Sequence, residues 1–586
     1  MFEKGRKLFC LLILVLAAMT LYAGGKEMKI IPLSSPIYDY VDALYQLEGL
    51  AASEGARPWN IADLKQQMAR VTPTSEAARN LAGLISEFIN DETNDSTVAF
   101  DWNLAFSPAF AAHTNPEYNT QDDWENDVLN DKLIRFNAGM YVSDYFAADI
   151  GLSLGFANSV SSEALLFDDT ASERRNMRFE EDRFKETWAT NIPYLSGGDL
   201  ELDVTDNSYL SAGFEYLSLT IGRGQLSMGN GTMGNLILGN TLPYHDYLNL
   251  SASNNTWFDF DMYVSFFTHP MNYTISKDSE GKLTDYQFED ALNGIQMFIA
   301  HRFEFRMFSD KLRLSINEAI MYQSDTNYLD ARIFNPLLIM HGYYMPANAN
   351  SLASIELEFS PAKHLQLYAS FALDDFSVFG EVKAPEDNAT LNMWGVMGGL
   401  RGTLPLEKGY VSVNLEAVYT SPLMYHKGEG AKSGSSPAYS QDYLGSVRIN
   451  GGKNIYRQYL SFPFGSDALA FQTSFKYTVP FKWEAGAELF FMAHGVTNKN
   501  SINSRYDENS TDEVPGFLMT ENPFDPSNNG AIEYTYRLGL NGKIYLVDNL
   551  SISSALDLIW ITNFDNQEDK GKGDVQFTFA ISYSIF

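Results

Sequence analysis

The chain has almost no cysteine. Of its 586 residues only Cys10 is one, and it sits in an N-terminal segment that reads as removable. Disulfides, cysteine metal sites and thiol nucleophiles are therefore excluded from the mature protein. Basic residues are also scarce, 41 Lys and Arg against 74 Asp and Glu, for a formal charge of -33. Such a surface repels nucleic acid and anionic lipid, a statement about partners and not about fold. No stretch after Ala23 approaches 18 consecutive apolar residues, so no membrane-spanning helix is expected. Paired histidine spacing is missing too: the histidines at 113, 245, 269, 301, 341, 364, 426 and 494 form no H-E-x-x-H.

What is present begins with an export signal. Lys4, Arg6 and Lys7 precede an apolar run from Leu8 to Ala18, and Leu21-Tyr22-Ala23 then supplies a cleavage site, so residues 1–23 are expected to be removed. Three basic residues and one acidic one leave with that segment, and the mature charge becomes about -35. Residues 24–97 read as a small helical segment. Ser35-Pro36 starts a first helix that Gly49 to Gly55 stops, Asn60 caps a second, and Thr74 or Ser75 caps a third. Three short amphipathic helices bury little alone, so they are expected to pack on something larger. The polar run from Asn90 to Thr97 serves as a linker.

From Val98 the apolar period changes to two. Phe146, Ala148, Ile150, Leu152, Leu154 and Phe156 share one face, opposite Asp149, Gly151, Ser153 and Gly155; Tyr410 to Thr420 and Val575 to Phe586 divide the same way. With 40 Phe and 33 Tyr in an exported chain, this pattern predicts an all-β transmembrane barrel of about 18 antiparallel strands over residues 98–586. The fourth strand, near 199–208, and the sixth, near 236–250, have the weakest patterns. The short connections fall at one end, taken as periplasmic, and the long ones at the other. A soluble all-β exported protein would also alternate. The amphipathic last strand ending on Phe586 resembles the signal read by the outer-membrane barrel-assembly machinery, although Phe586 falls one residue out of the lipid-facing phase.

Thr220 to Tyr247 is the least ordinary stretch, with glycines at 222, 224, 229, 231, 234 and 239. Gly229 to Gly234 matches the G-x-G-x-x-G of dinucleotide-binding folds, but Asn235 to Asn240 is too short for the helix that such a phosphate cradle requires. In a barrel the stretch joins the fifth and sixth strands at the outer end. Gly222, Arg223, Gly229, Gly231, Gly234, Leu236, Asn240 and Pro243 resemble the conserved glycine motif of the capsule-assembly outer-membrane lectin family, the Wzi type. Met228 stands where that family usually has Trp, and Tyr244 where it often has Phe. The stretch from Ile31 to Leu50, with Arg57 to Leu64, resembles the family's helical plug. Glu318 to Tyr322, Asn335-Pro336 and Asn348 to Ser351 are similar to its second conserved loop. The resemblance implies an 18-stranded barrel closed at its inner end by helices, a role in holding surface polysaccharide, and no enzymatic activity.

Sugars present hydroxyls and apolar C–H faces, so their sites combine aromatics with amide and carboxylate partners. Arg223, Tyr244, His245, Asp246, Asn335, His341, Tyr343 and Tyr344 offer that mixture in the two motif loops and are the candidate glycan-binding residues. The alternative is that they fold the loops into the barrel mouth, with Arg223 pairing a lumen carboxylate such as Glu215 or Glu318. Asp259 with Asp261 and Glu484 with Glu488 share faces as an acid and base would, yet beside Arg302, Arg306 and Arg313 they read as a solvated charge network. The acidic runs Asp122 to Asp131 and Asp565 to Gly571 could hold Ca²⁺ but complete no EF-hand loop. The expected protein is a monomeric, cofactor-free, non-enzymatic outer-membrane barrel whose partners are surface polysaccharide, outer-membrane lipid and, during biogenesis, the assembly machinery. A porin-type diffusion channel is the first alternative, and an outer-membrane hydrolase the second.

Overall fold

A computed structural model of the chain describes residues 26–92, 98–115, 132–155, 187–193, 195, 201–204, 207–267, 273–277, 283–288, 295–324, 329–335, 349–375, 393–422, 424–426, 442–449, 454–495, 531–547 and 549–585. Within them, 18 antiparallel strands close into a barrel. In chain order they are β1 (Val98–Phe106 continued by Ala109–His113), β2 (Ile134–Val142), β3 (Phe146–Gly155), β4 (Glu201–Val204 continued by Tyr209–Phe214), β5 (Leu217–Gly224) and β6 (His245–Ser253). They continue as β7 (Phe258–Phe266), β8 (Ile295–Met307), β9 (Leu312–Ser324), β10 (Ala349–Ala362), β11 (Leu365–Asp375) and β12 (Met393–Pro405). The last six are β13 (Tyr410–Thr420), β14 (Ala468–Val479), β15 (Trp483–His494), β16 (Glu533–Val547), β17 (Leu550–Thr562) and β18 (Lys572–Ile585). Closure comes from β18 pairing with both parts of β1, Ile585 opposite Leu104 and Gln576 opposite His113. Pro108 interrupts β1 because it has no N–H to give, but its carbonyl still accepts from the Ile581 amide at 3.1 Å.

The period-two pattern sorts side chains as membrane burial demands. Phe100 and Trp102 on β1, Leu219 and Ile221 on β5, and Phe471 and Phe475 on β14 face outward and exposed, a lipid-facing apolar surface. Their neighbours in sequence face the lumen. The weakly patterned fourth strand comes as two short pieces, and the sixth begins only at His245, so residues 236–244 are not strand. The reason is local: Leu236, Ile237, Leu238 and Leu242 are all buried inside the lumen, where an alternating pattern has no use.

Three helices pack at the end that carries the short turns. α1 (Ile37–Glu48) starts at Pro36 without a side-chain cap and stops at Gly49, whose φ of 71° favours glycine. α2 (Ile61–Ala69) begins with a capping box in which Asn60 and Asp63 each bond the other's backbone N–H. α3 (Glu76–Glu92) starts where the Ser75 hydroxyl accepts from the Ala78 amide at 3.1 Å. Leu44, Tyr45, Trp59, Leu64, Leu81 and Ile85 form their common core. The helices are tied to the turns through backbone: the Ala51 amide donates to Asp310 O, the His364 amide to Gln46 O, and the Phe481 amide to the Tyr40 hydroxyl at 3.1 Å.

One such tie is ionic. Glu48 accepts from Lys363 Nζ at 2.8 Å and from the amide and hydroxyl of Thr74, both at 2.7 Å. Burial works to raise its pKa, but these donors outweigh it and hold the carboxyl down at about 2. A depressed carboxyl contributes stability that is present above its ordinary value near 4.5 and is lost as pH falls through about 2. Pepsin cleavage of the helical segment should therefore accelerate between those two values. Glu48→Gln should flatten that part of the profile, and an unchanged profile in the variant would refute this role for Glu48.

Candidate functional site

The interior of the barrel is where the unusual residues meet. Strand β8 places Arg302, Glu304 and Arg306 on its lumen face, each two residues from the next, and all are buried. Arg302 donates to Glu356 at 2.8 Å, Ser315 at 2.8 Å and Asn317 at 3.1 Å. Arg306 donates to Glu304 at 2.7 Å and to the Ala52 carbonyl at 3.2 Å. Arg313, from β9, reaches Glu358 and the carbonyl of Ser53. Asp259, on β7, receives Arg70 from the end of α2 at 2.9 Å. The network expected to be solvated is thus dry, and it grips the backbone that follows α1. Gly55 permits this: a Cβ there would lie 2.6 Å from the Arg302 guanidinium. Glu484 and Glu488 are likewise paired, with Lys476 and Arg537, and not poised as an acid and a base.

The glycine stretch does leave β5 at the outer end, but it turns down into the lumen and meets the helical segment. Ser227-Met228 pairs with Ala56-Arg57 as a two-stranded ladder, and the Gly229 amide donates to Gly55 O at 2.8 Å. The Thr232 and Met233 amides then converge on the Glu416 carboxylate of β13 at 2.8 and 2.7 Å. Consecutive backbone N–H groups do cradle an anion here, and that anion is the protein's own. Two glycines are required for it. Gly229 has φ of 125°, and a Cβ on Gly231 would fall 1.9 Å from the Gly234 carbonyl oxygen. Above this stretch lie Tyr425, Tyr443, Tyr459, Leu460 and Phe462, packed against Leu236 to Leu242. Tyr443 locks the layer by donating toward Ala319 O and Asn350 O at 3.0 and 2.7 Å.

The candidate glycan residues do not share one surface. Arg223 and Asp246 are cross-strand partners at the outer end of β5 and β6, joined by two hydrogen bonds of 2.7 and 2.8 Å, and the guanidinium lies 4.1 Å from the centre of the Tyr244 ring. They follow the phase of exposed Ile221, so this cluster faces away from the lumen. Arg223 therefore pairs neither Glu215, which accepts from Asn255, nor Glu318, which sits across from His301. Alternation sends His245 the other way, fully buried beside Ser265 at 3.1 Å. Asn335 is exposed just after the turn Ala331–Phe334, whose Ile333 packs with Met297, Ile299 and Ile320. His341, Tyr343 and Tyr344, the run Asp122 to Asp131, the signal segment and Phe586 lie outside the described residues. No group of three potential metal ligands occurs among the described residues.

No family model matches the chain, and no curated protein sequence matches it. Solved structures do. Wzi of Escherichia coli, described as an outer-membrane protein involved in group 1 capsule assembly and a carbohydrate-binding β-barrel, aligns over 94% of this chain and 98% of its own at a TM-score of 0.56 and 11% identity. The chain has the fold of an outer-membrane β-barrel. OprD of Pseudomonas aeruginosa follows at a TM-score of 0.37 and 10% identity over 83% of this chain and 95% of its own. The channel DcaP of Acinetobacter baumannii gives 0.34 and 8% over 84% and 99%.

The buried arginines make the occlusion testable. Arg313→Ala would leave Glu358 without its ion pair and a plug carbonyl without its donor, so it should destabilise the folded barrel by about 3–5 kcal/mol. Lys363→Ala, which removes a half-exposed lysine while the Thr74 amide and hydroxyl still hold Glu48, should cost no more than about 1 kcal/mol. Urea unfolding of both variants in detergent measures the contrast, and equal midpoints would contradict the dry network.

Proposed function

We propose that this chain is a non-enzymatic outer-membrane barrel that binds or organises surface polysaccharide and does not conduct solutes. The observation that carries this reading is the filling of the lumen. Helices, the segment after α1, the glycine stretch and the layer around Tyr443 succeed one another from one end inward, joined by buried ion pairs and backbone hydrogen bonds. A diffusion channel needs a continuous wet path, whereas a sealed barrel offers a rigid platform in the membrane for its external loops. The carbohydrate binding stated for the Wzi barrel, which shares this fold over nearly the whole chain, supports the same reading. So does the chemistry of the second motif loop, where Tyr343 and Tyr344 supply aromatic faces and His341 and Asn335 supply polar partners. Residues 1–23 act as the export signal in this reading, and the assembly machinery inserts the chain.

Two measurements test it. Purified protein in planar bilayers should show no steady ion-sized conductance, and a large one would replace this reading with a porin. Intact cells carrying the protein should retain added capsular glycan, with retention falling on Tyr343→Ala or Tyr344→Ala while the heat-modifiable mobility of the folded barrel persists. Retention that ignores both substitutions would remove these tyrosines from the site.

A further inference from the structure

The lumen is filled unevenly. On β7 to β10 the inward side chains are dry: Asp259, Arg302, Ser315, Asn317, Ser354 and Glu356 are each under one-tenth exposed. Across the barrel, on β14 to β18 and β1, several inward side chains are open to water. Asn541 is exposed although it lies six residues in from Val547, roughly 15 Å along the wall for a tilted strand. Asn541 faces the lumen, since its side chain occupies the space over Gly486, between the inward Glu484 and Glu488. Ser474, Ser553, Ser582 and Asn103 line the same side and are only half-buried.

This wet side ends blindly. Arg537 spans Glu488 and Asp557, with its Nε 2.6 Å from Asp557, in a space that a Cβ on Gly539 would enter. Beyond it Thr535, Ile559 and Gln576 are buried. At the blind end two polar atoms of deeply buried residues lack a partner among the described residues: Oδ2 of Asp557, 1% exposed, and Oγ1 of Thr578, 3% exposed. Both lie on lumen-facing positions of adjacent strands, with Asp557 opposite Gln576 and Thr578 opposite Ala555. A buried polar atom left unpaired is costly, and a ligand carrying hydroxyl donors would relieve that cost. The charges flanking the blind end are paired within the protein, Lys476 with Asp39 and Glu484 and Arg537 with its two carboxylates, while Lys543, nearer the helices, lies 5.0 Å from the centre of the Tyr545 ring, so the blind end itself calls for no charged ligand.

We infer that this blind cleft is a second saccharide site, taking the end of an uncharged, hydroxyl-rich chain from the helix-bearing side of the barrel, with Thr578 and Asp557 receiving its hydroxyls. It rests on the polysaccharide reading for its ligand class but on separate residues.

The scarcity of cysteine gives a clean test. In a Cys10→Ser background the full chain in detergent micelles carries either Ser553→Cys, in the cleft, or Ser315→Cys, in the packed wall. N-ethylmaleimide should label the first at least about tenfold faster, a difference of roughly 1.4 kcal/mol in access. Maltohexaose should slow labelling at Ser553→Cys. Adding Thr578→Val should weaken that protection about fivefold, the worth of one hydrogen bond. Equal labelling of the two cysteines overturns the cleft, and labelling indifferent to maltohexaose overturns the saccharide site. Protection unaffected by Thr578→Val overturns the assigned blind end, with heat-modifiable mobility confirming that each variant is folded. Loss of glycan retention on whole cells with protection intact in micelles would count against the outer-loop reading alone.

Discussion

Three guanidinium groups on two neighbouring strands determine how the inside of this barrel is organised. Arg302, Arg306 and Arg313 are buried with Glu304, Glu356 and Glu358, and two of them spend a donor on the carbonyls of Ala52 and Ser53. Buried charges are costly unless they are paired and hydrogen-bonded, so the chain after α1 cannot move away without taking a donor's partner from an arginine. The constraint propagates upward. The segment held by the arginines offers Gly55 O and Ala56-Arg57 to the glycine stretch, and that stretch offers its apolar residues to the layer around Tyr443. Each layer is therefore the template for the next.

The outer surface of the barrel was legible in the sequence because lipid imposes a rule on every second residue. Outward positions must be apolar whatever the function, so strand number, turn asymmetry and closure all follow from alternation. Helix starts were legible for a similarly local reason: Asn60 and Ser75 bond amides three residues on in sequence. The lumen obeys no such rule. Arg302, Arg306 and Arg313 could be placed inward from their phase, but whether water or backbone met them depended on distant residues such as Ser53, 260 positions from Arg313. Dryness is a tertiary property.

The same distinction explains the misplaced details. Residues 236–244 looked like a poor strand because they are apolar without alternation, which is what a segment packed on all sides requires. Arg223 looked like a lumen residue because it sits among glycines that do enter the lumen. It lies one residue before the last glycine of β5, and a shift of one residue on a strand reverses the face. Tyr244, His245 and Asp246 read as one patch in sequence for the opposite reason: adjacency along an extended chain guarantees that neighbours point apart.

The glycine stretch shows how a motif can be right about chemistry and silent about its object. Successive amides over Gly229 to Gly234 do converge on a negative charge, as the phosphate-cradle pattern requires. What the pattern cannot encode is that β13 supplies Glu416 to fill the cradle, with Tyr368 donating to the same carboxylate at 2.6 Å. A cradle filled by its own protein is a clasp. It fastens the middle of the lumen to the wall opposite β5, and among the described residues no carboxylate of the β14 to β18 side meets the stretch, so serine and asparagine there stay partly exposed between paired charges. The division of the lumen into a dry half and a wet half is thus set where the glycines choose their anion.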